Sequence, residues 1–543
     1  MLRQSKAIRT AFTIRAARIG VAMLLVAGCP IAATALPAAA AACTSGLAGD
    51  VNDDGYAEVA VSETRGDLDA GGVHILYGRR SGLVVEAAGS ARDDQFFDQN
   101  SRGVPGTSES GDGFGGATAF GDFNADGCAD LAVGTPGEDD SRGAVVVLYG
   151  SRSGITTAGA QSVRFAAVFP TPESLFNRFG SSLAVGDLDD DGVDDLAVGA
   201  PSRQLAGQAG DGAVAVLYGD ADGLNRGSTA PILIDPDTPG IPRLPGSGEF
   251  FFRFGSDLAI GDFDGNNRAE LAIGSLGAGS PGEGRGAVQT VEIDDGALIA
   301  GAPITAETLG LDTPGEGEDI GQALAAGDVN NDGFDDLVVG VPGYGSPERE
   351  FTGAGAVVLL PGTAGGLTGV GRQLWWQDSP GVVGVADRIN DGFGSAVAIG
   401  PLDTDAYADL AIGTPGDTVG SGSVEGVEGS VTVLRGSATG LTTAGFGGAR
   451  YTQNTAGIAG SPESGDNFGR AVTIAFVQAR SQGSLIIGAP GETVRGIRGT
   501  GQFHQLGINA AGPDPTASRT FHLDTPGLKG KPSGSASFGR ELS

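Results

Sequence analysis

One phrase recurs along this chain and limits what it can fold into. It is Gly-Asp-x-Asn/Asp-x-Asp-Gly-x-x-Asp/Glu, followed by an apolar run and, in most copies, Gly-x-Pro. It reads DVNDDGYAE at Asp50–Glu58, DFNADGCAD at Asp122–Asp130, DLDDDGVDD at Asp187–Asp195, DFDGNNRAE at Asp262–Glu270 and DVNNDGFDD at Asp328–Asp336. Successive copies start 72, 65, 75 and 66 residues apart. A weakened copy, PLDTDAYAD, begins at Pro401, and a vestige runs from Phe476 to Ser484. Self-similarity at a fixed period marks a repeat architecture, and seven such units fill residues 43–543.

Each unit carries the same companions. Phe-Gly stands ahead of most acidic loops, at Phe114-Gly115, Phe179-Gly180, Phe254-Gly255, Phe393-Gly394 and Phe468-Gly469, with Ile320-Gly321 as a variant. A short apolar run follows each loop, such as Leu131-Ala132-Val133-Gly134. A third, alternating run comes next: GVHILYG at Gly72–Gly78, GAVVVLYG at Gly143–Gly150, GAVAVLYG at Gly212–Gly219 and GSVTVLRG at Gly429–Gly436. These Val- and Leu-rich runs, bounded by Gly, Pro and Asp, read as strands. With a less regular fourth segment they make four short strands per unit and no helical periodicity, which is the pattern of a propeller blade. The expected fold is all-β, a seven-bladed β-propeller over residues 43–543. Unit one lacks a Phe-Gly, whereas the chain ends in Ser537-Phe538-Gly539-Arg540-Glu541-Leu542-Ser543, a Phe-Gly start with nothing behind it. The C-terminal strand is therefore expected to complete the N-terminal blade and protect its edge. An open solenoid is the competing arrangement.

The loops carry the chemistry. Ca²⁺ takes six to eight hard oxygen ligands, and a tight loop can aim alternate side chains at one point. Positions 1, 3, 5 and 9 supply such oxygens, and position 7 would offer its backbone carbonyl. The candidate ligands are Asp50, Asn52, Asp54, Tyr56 and Glu58 in the first loop, and Asp122, Asn124, Asp126, Cys128 and Asp130 in the second. The third has Asp187, Asp189, Asp191, Val193 and Asp195, and the fourth Asp262, Asp264, Asn266, Arg268 and Glu270. The fifth has Asp328, Asn330, Asp332, Phe334 and Asp336. Position 6 needs a residue tolerant of positive φ, supplied by Gly55, Gly127, Gly192 and Gly333 and by Asn267 in the fourth loop. An Asp/Asn-Gly hairpin turn would not require so many clustered carboxylates, whose repulsion is costly without a cation. The sixth loop keeps only Asp403, Asp405 and Asp409, and the seventh has no acids, so about five Ca²⁺ sites are expected. Their role would be to organise loops that have no core of their own.

Phe-Gly, the acidic loop and Gly-Ala-Pro (Gly199-Ala200-Pro201, Gly488-Ala489-Pro490) together resemble the FG-GAP repeat. That resemblance spans essentially residues 43–543 and implies the seven-bladed propeller found at the head of integrin α subunits and in similar bacterial secreted proteins. It also implies an extracellular binding or adhesion module, with a protein or glycan ligand held on the face opposite the Ca²⁺ loops. The inserted ligand domain, the leg domains and the membrane helix of an integrin α subunit have no counterpart in this sequence. The resemblance therefore does not extend to pairing with a β subunit.

Residues 1–42 read as a signal peptide. Arg3, Lys6, Arg9, Arg15 and Arg18 form a basic start, Ile19–Gly28 is apolar, and small residues run on to Ala42. An N-terminal membrane anchor is the alternative. Val26-Ala27-Gly28-Cys29 resembles a lipobox, which would make Cys29 a lipid anchor; cleavage near Ala42 gives a secreted or cell-surface protein. No later stretch approaches a membrane span. Cys43 and Cys128 would remain, in a setting where a disulfide is permitted, although their spacing does not say whether they meet.

The formal net charge of −33, from 66 acids against 33 bases, repels phosphate backbones and excludes nucleic acid as a partner. No catalytic residue is assigned. The sequence has no nucleophile elbow, His-Glu-x-x-His, P-loop or dinucleotide fingerprint, and its three histidines (His74, His504, His522) stand at unrelated repeat positions. A hydrolase with carboxylates on the propeller face and a structural cell-envelope scaffold are the alternatives to adhesion. Arg65-Gly66-Asp67 reads as a chance tripeptide. Trp375-Trp376 would place one ring on each face of a strand, where packing is the simpler role. The inserts around Gln204–Gly210 and Gly416–Gly429 mark where specificity would lie.

Overall fold

The computed structural model describes residues 43–63, 70–85, 94–169, 177–204, 211–244, 253–277, 285–311, 318–345, 353–384, 390–419 and 427–543. Residues 1–42 with Cys29, the Arg65-Gly66-Asp67 tripeptide, residues 205–210 and residues 420–426 lie outside these.

Seven antiparallel sheets follow one another along the chain. The first holds Val59–Glu63, Gly72–Leu76 and Gln95–Phe97. The second holds Ala117–Gly121, Asp130–Thr135, Ala144–Tyr149 and Thr156–Arg164, and the third Leu183–Gly186, Asp195–Gly199, Val214–Leu217 and Ile232–Ile234. The fourth comprises Phe254–Gly261, Glu270–Ser275, Ala287–Asp294 and Ala297–Ala300. The fifth comprises Leu324–Gly327, Asp336–Val341, Ala356–Leu360 and Gln373–Trp375. Ala396–Gly400, Asp409–Thr414, Ser430–Leu434 and Ala449–Tyr451 make the sixth, and Val472–Ala475, Ser484–Ala489, Gln502–Asn509 and Gly512–Phe521 the seventh. Each is one blade of a seven-bladed β-propeller.

Burial explains the sequence pattern. The second strand of each complete blade, such as Asp130–Thr135, is buried along its whole length because both of its faces meet neighbouring sheets. Such a strand reads as a continuous apolar run rather than an alternation. The hydrophobic core accordingly divides into seven clusters, each shared by two adjacent blades. The cluster between blades seven and one joins Val59, Val61 and Leu76 to Ile486, Phe503 and Phe521, with Phe538 among them.

Phe-Gly is the clasp at each junction. Its Phe side chain is essentially inaccessible in all six copies, and its backbone forms a parallel bridge to the glycine that opens the third strand of the blade before. The pairs are Gly71–Phe114, Gly143–Phe179, Gly212–Phe254, Gly286–Ile320, Gly355–Phe393, Gly429–Phe468 and Gly501–Phe538. These glycines tolerate no side chain: a Cβ on Gly71, at φ +84°, would fall 2.2 Å from the Phe114 carbonyl oxygen. The last copy continues the rule into the first blade. Ala60 N–H donates to Ser543 O (3.0 Å), Ser62 N–H to Glu541 O (3.1 Å), and Ser543 N–H to Ala60 O (3.2 Å), beside an antiparallel bridge between Val61 and Leu542.

Cys43 and Cys128 form a disulfide that closes a separation of 85 residues and ties the start of the propeller to the acidic loop of blade two. Trp376 packs on the cluster between blades four and five, and Trp375 on that between five and six, so the two rings serve opposite faces of one blade.

Candidate metal centre

In blades two to five each acidic loop joins the first strand to the second, in blade one it leads into Val59–Glu63, and all five loops share one hydrogen-bond plan. The position-1 carboxylate turns back into the loop and accepts two backbone N–H groups, from positions 5 and 6. For Asp122 these are Asp126 (3.0 Å) and Gly127 (2.8 Å); for Asp187, Asp191 (3.2 Å) and Gly192 (2.8 Å); for Asp328, Asp332 (3.2 Å) and Gly333 (3.0 Å). Asp50 and Asp262 do the same. Position 5 accepts from the N–H of position 7, as Asp126 does from Cys128 at 2.9 Å. Position 6 lies at φ between +67° and +90° in all five loops, which is why it is glycine or asparagine.

The position-9 acid is nearly or fully buried in every loop: Glu58, Asp130, Asp195, Glu270 and Asp336. One of its oxygens accepts the N–H of position 2, at 2.7 to 3.1 Å. In the aspartate cases the other accepts the N–H of the glycine that ends the third strand, Gly150, Gly219 or Gly362. Burial foremost, with the neighbouring loop carboxylates adding to it, pushes Asp130 up to about 9, Glu270 to about 8, and Asp195 and Asp336 to about 7.

Some oxygens in these loops have no partner. Asn52 Oδ1, Asp189 Oδ1 and Asn330 Oδ1, all at position 3, are buried without a hydrogen bond, and so is Oε1 of Glu270. Ligand atoms of Asp187, Asp189 and Asp195 lie within 4.8 Å of one another, as do those of Asp262, Asp264 and Glu270. The remaining three loops carry asparagine at position 3. Two sequence-predicted position-7 residues have their side chains otherwise engaged, Cys128 in the disulfide and Arg268 with Asp294. Buried orphan acceptors are uncommon and costly, and hard oxygens converging in this number suit Ca²⁺.

Three features lay beyond the sequence reading. Position 4 is left-handed as well, at Asp53, Ala125, Asp190, Gly265 and Asn331. Neighbouring loops are joined head to tail: the N–H of position 8 donates to the position-1 carbonyl of the loop before, as Ala129 to Asp50 (3.1 Å), Asp194 to Asp122 (3.3 Å) and Asp335 to Asp262 (2.8 Å). The side chains of Asp194 and Asp335 reinforce this by accepting from Asp122 and Asp262 N–H, at 2.8 and 3.0 Å. In the sixth loop, finally, the Arg435 guanidinium bonds Asp403 (2.8 Å) and Asp405 (2.6 Å).

At the far end of the inner strands from these loops lies an axial cavity of roughly 400 Å³. The residue two places after each Phe-Gly glycine, or its Ile-Gly counterpart, faces this mouth. It is small in five blades (Ala117, Ser182, Ala323, Ala396, Ala471) and a carboxylate in two (Asp257, Glu541). Asp257 Oδ2 accepts Leu324 N–H at 2.8 Å, and burial raises both acids to about 7. Arg470 lines the same mouth. The repeat does not need these charges, since five blades close without them.

A buried triad sits at the seam of blades one and seven. His74, wholly inaccessible, lies 3.4 Å from Asp94 and 3.5 Å from Glu63, and Asp94 also accepts Lys529 N–H at 3.0 Å. Phe96 and Phe538 pack against the imidazole. Burial opposes its charge, but the two carboxylates outweigh that and hold the imidazole above its ordinary 6.5. A histidine raised on folding stabilises in full below about 6.5, and that contribution is lost as pH rises through the folded value. His74→Gln is therefore expected to remove a decline in melting temperature that the unaltered protein shows from pH 6 toward pH 9. An unchanged slope in the variant would show that His74 does not cause it.

The family model for the FG-GAP repeat matches residues 114–148, 179–217 and 320–360. Integrin alpha-7 of Rattus norvegicus is 32% identical over 241 residues, 43% of this chain and 19% of that one. Integrin alpha-X of Mus musculus is 43% identical over 90 residues, 16% and 7% of the two chains. Phosphatidylinositol-glycan-specific phospholipase D of Bos taurus is 30% identical over 177 residues, 31% and 19%. Among solved structures, rhamnogalacturonan lyase YesW aligns over 74% of this chain and 69% of its own at 14% identity and a TM-score of 0.32, too slight a likeness to bear on the fold. The chain carries FG-GAP repeats on a seven-bladed β-propeller and is related in sequence to integrin α subunits. It spans about a fifth or less of the length of these curated relatives. Among the described residues no helix is long and apolar enough to cross a membrane.

Proposed function

We propose that the chain is a secreted or cell-surface calcium-binding propeller that holds an extracellular protein or glycan ligand on the face opposite its acidic loops. The observation that carries the calcium reading is the set of buried, partnerless oxygens at Asn52, Asp189, Asn330 and Glu270, one in each of four loops. A cation bound there by positions 1, 3, 5 and 9 and the position-7 carbonyl would satisfy them and offset the repulsion among the acids. Export rests on the leader of residues 1–42, with cleavage near Ala42 or lipidation at Cys29 as its two endings. Ligand binding is supported by kinship with integrin α subunits and by the axial mouth, where Asp257 and Glu541 break the pattern of small residues and Arg470 stands beside them. Departures from a repeat that the fold does not demand are where a specific contact is expected.

The test is retention of the purified propeller on immobilised glycans, cell-wall polymers and matrix proteins, with Ca²⁺ and then with chelator. Calcium-dependent retention on one ligand class, weakened by Asp257→Ala with Glu541→Ala, is the expected result. No retention on any of them would refute adhesion and leave the scaffold role. A second reading, a carboxylate hydrolase, draws on the same two acids, because a carboxyl held near 7 is suited to general acid–base work. Its mark would be turnover of a retained glycan that Asp257→Asn abolishes without loss of binding.

A further inference from the structure

In the sixth loop the place of an ion is taken by the protein itself. The loop keeps the hydrogen-bond plan of the other five: Leu402 N–H donates to Asp409 (2.8 Å), Gly436 N–H to the other Asp409 oxygen (2.9 Å), and Tyr407 N–H to Asp405 (3.0 Å). It lacks the position-1 acid, where Pro401 stands, but retains three carboxylates. Two of them, Asp403 and Asp405, are bonded by one guanidinium, at 2.8 Å through Nε and 2.6 Å through a terminal nitrogen. The hydrogen bond from Gly436 to position 9 fixes the register of that arginine. The equivalent glycines are Gly150, Gly219 and Gly362, so the residues in the place of Arg435 are Tyr149, Tyr218 and Pro361, none of them charged. In the fourth loop, by contrast, Arg268 reaches outward to Asp294 and leaves the loop acids alone.

We propose that Arg435 is a resident cation, and that the sixth loop is a latent divalent-cation site closed by it. The proposal rests on the reading of the first five loops as calcium sites. An arginine here removes one ion from the ring's complement and makes the loop of blade six independent of the calcium concentration outside the cell. A guanidinium suits this exchange because it is always charged and presents several donors in a fixed fork. The switch needs two changes from the repeat, an arginine at the third-strand end and the loss of the acid at position 1, and both occur in the one blade.

Calcium bound per chain, counted by equilibrium dialysis of the full-length propeller, tests this. The unaltered protein is expected to bind five ions, Pro401→Asp with Arg435→Tyr six, and Asp187→Pro with Tyr218→Arg, the reciprocal change in blade three, four. Arg435→Gln alone should lower the melting temperature in chelator and regain part of the loss when Ca²⁺ is added, beyond the gain seen in the unaltered protein. Five ions in a folded Pro401→Asp, Arg435→Tyr variant would overturn the proposal. So would an Arg435→Gln variant whose loss in chelator Ca²⁺ does not touch, which covers the case of a double variant that fails to fold. Zero ions in the unaltered protein would instead remove the calcium reading itself, and the latent site with it.

Discussion

Chelation of the purified propeller is expected to lower its melting temperature by roughly 10–15 °C, and restored Ca²⁺ to return it. An ion that binds only the folded state stabilises by about 2.7 kcal/mol when its concentration is a hundred times the dissociation constant. Five such ions together offset about 13 kcal/mol of unfolding. A folded chain near 500 residues has an unfolding entropy of about 1 kcal/mol per kelvin, so each kcal/mol moves the midpoint by about 1 °C. Backbone hydrogen bonds hold the loops in shape, but their acids repel one another and their buried position-3 oxygens at Asn52, Asp189 and Asn330 accept no hydrogen bond. Differential scanning calorimetry in Ca²⁺ and in chelator measures the shift. A change under 2–3 °C would mean that the ions are absent, or too weakly held to organise the loops.

Removal of residues 538–543 is expected to produce an aggregating or swapped species. Those residues supply Phe538, fully buried in the cluster between blades seven and one, and the backbone groups that pair with Ala60 and Ser62. Loss of a buried phenylalanine alone costs about 3–5 kcal/mol. The further consequence is an open edge at Val59–Glu63, a fully buried strand with bare donors and acceptors, which is a template for another chain. Size-exclusion chromatography with light scattering should show mixed, larger oligomers, whereas Phe538→Ala with the strand retained should keep the size of the unaltered protein and melt lower. A truncated chain of unchanged oligomeric state and unchanged melting temperature would show that these residues do not hold the seam.

Most of the fold was legible because the repeat states its rules seven times. Phe114, Phe179 and Phe468 announce clasps, and runs such as Leu131-Ala132-Val133 announce buried strands, each copy confirming the next in register. The loop acids were legible for the same reason, since position 1 must turn back on its own loop and position 6 must accept positive φ. What escaped was whatever depends on a neighbour far along the chain. Arg435 lies some thirty residues beyond Asp403, and nothing local says that its guanidinium turns toward that loop. Asp194 looks like one more loop acid until Asp122, in the blade before, is seen to donate to it. His74 reads as an ordinary strand residue, and its two acids come from Glu63 and from Asp94, before the next strand. The disulfide was allowed by the sequence but could be located only in three dimensions.

The clasp also bears on how such a ring could be assembled in descent. Phe-Gly opens one blade and locks the one before it, so no blade is a detachable part. Any stretch one repeat long, wherever its ends fall, nevertheless holds one clasp, one loop between strands and four strands' worth of chain. Duplication or loss of such a stretch would leave every junction of the same kind and change only the number of blades.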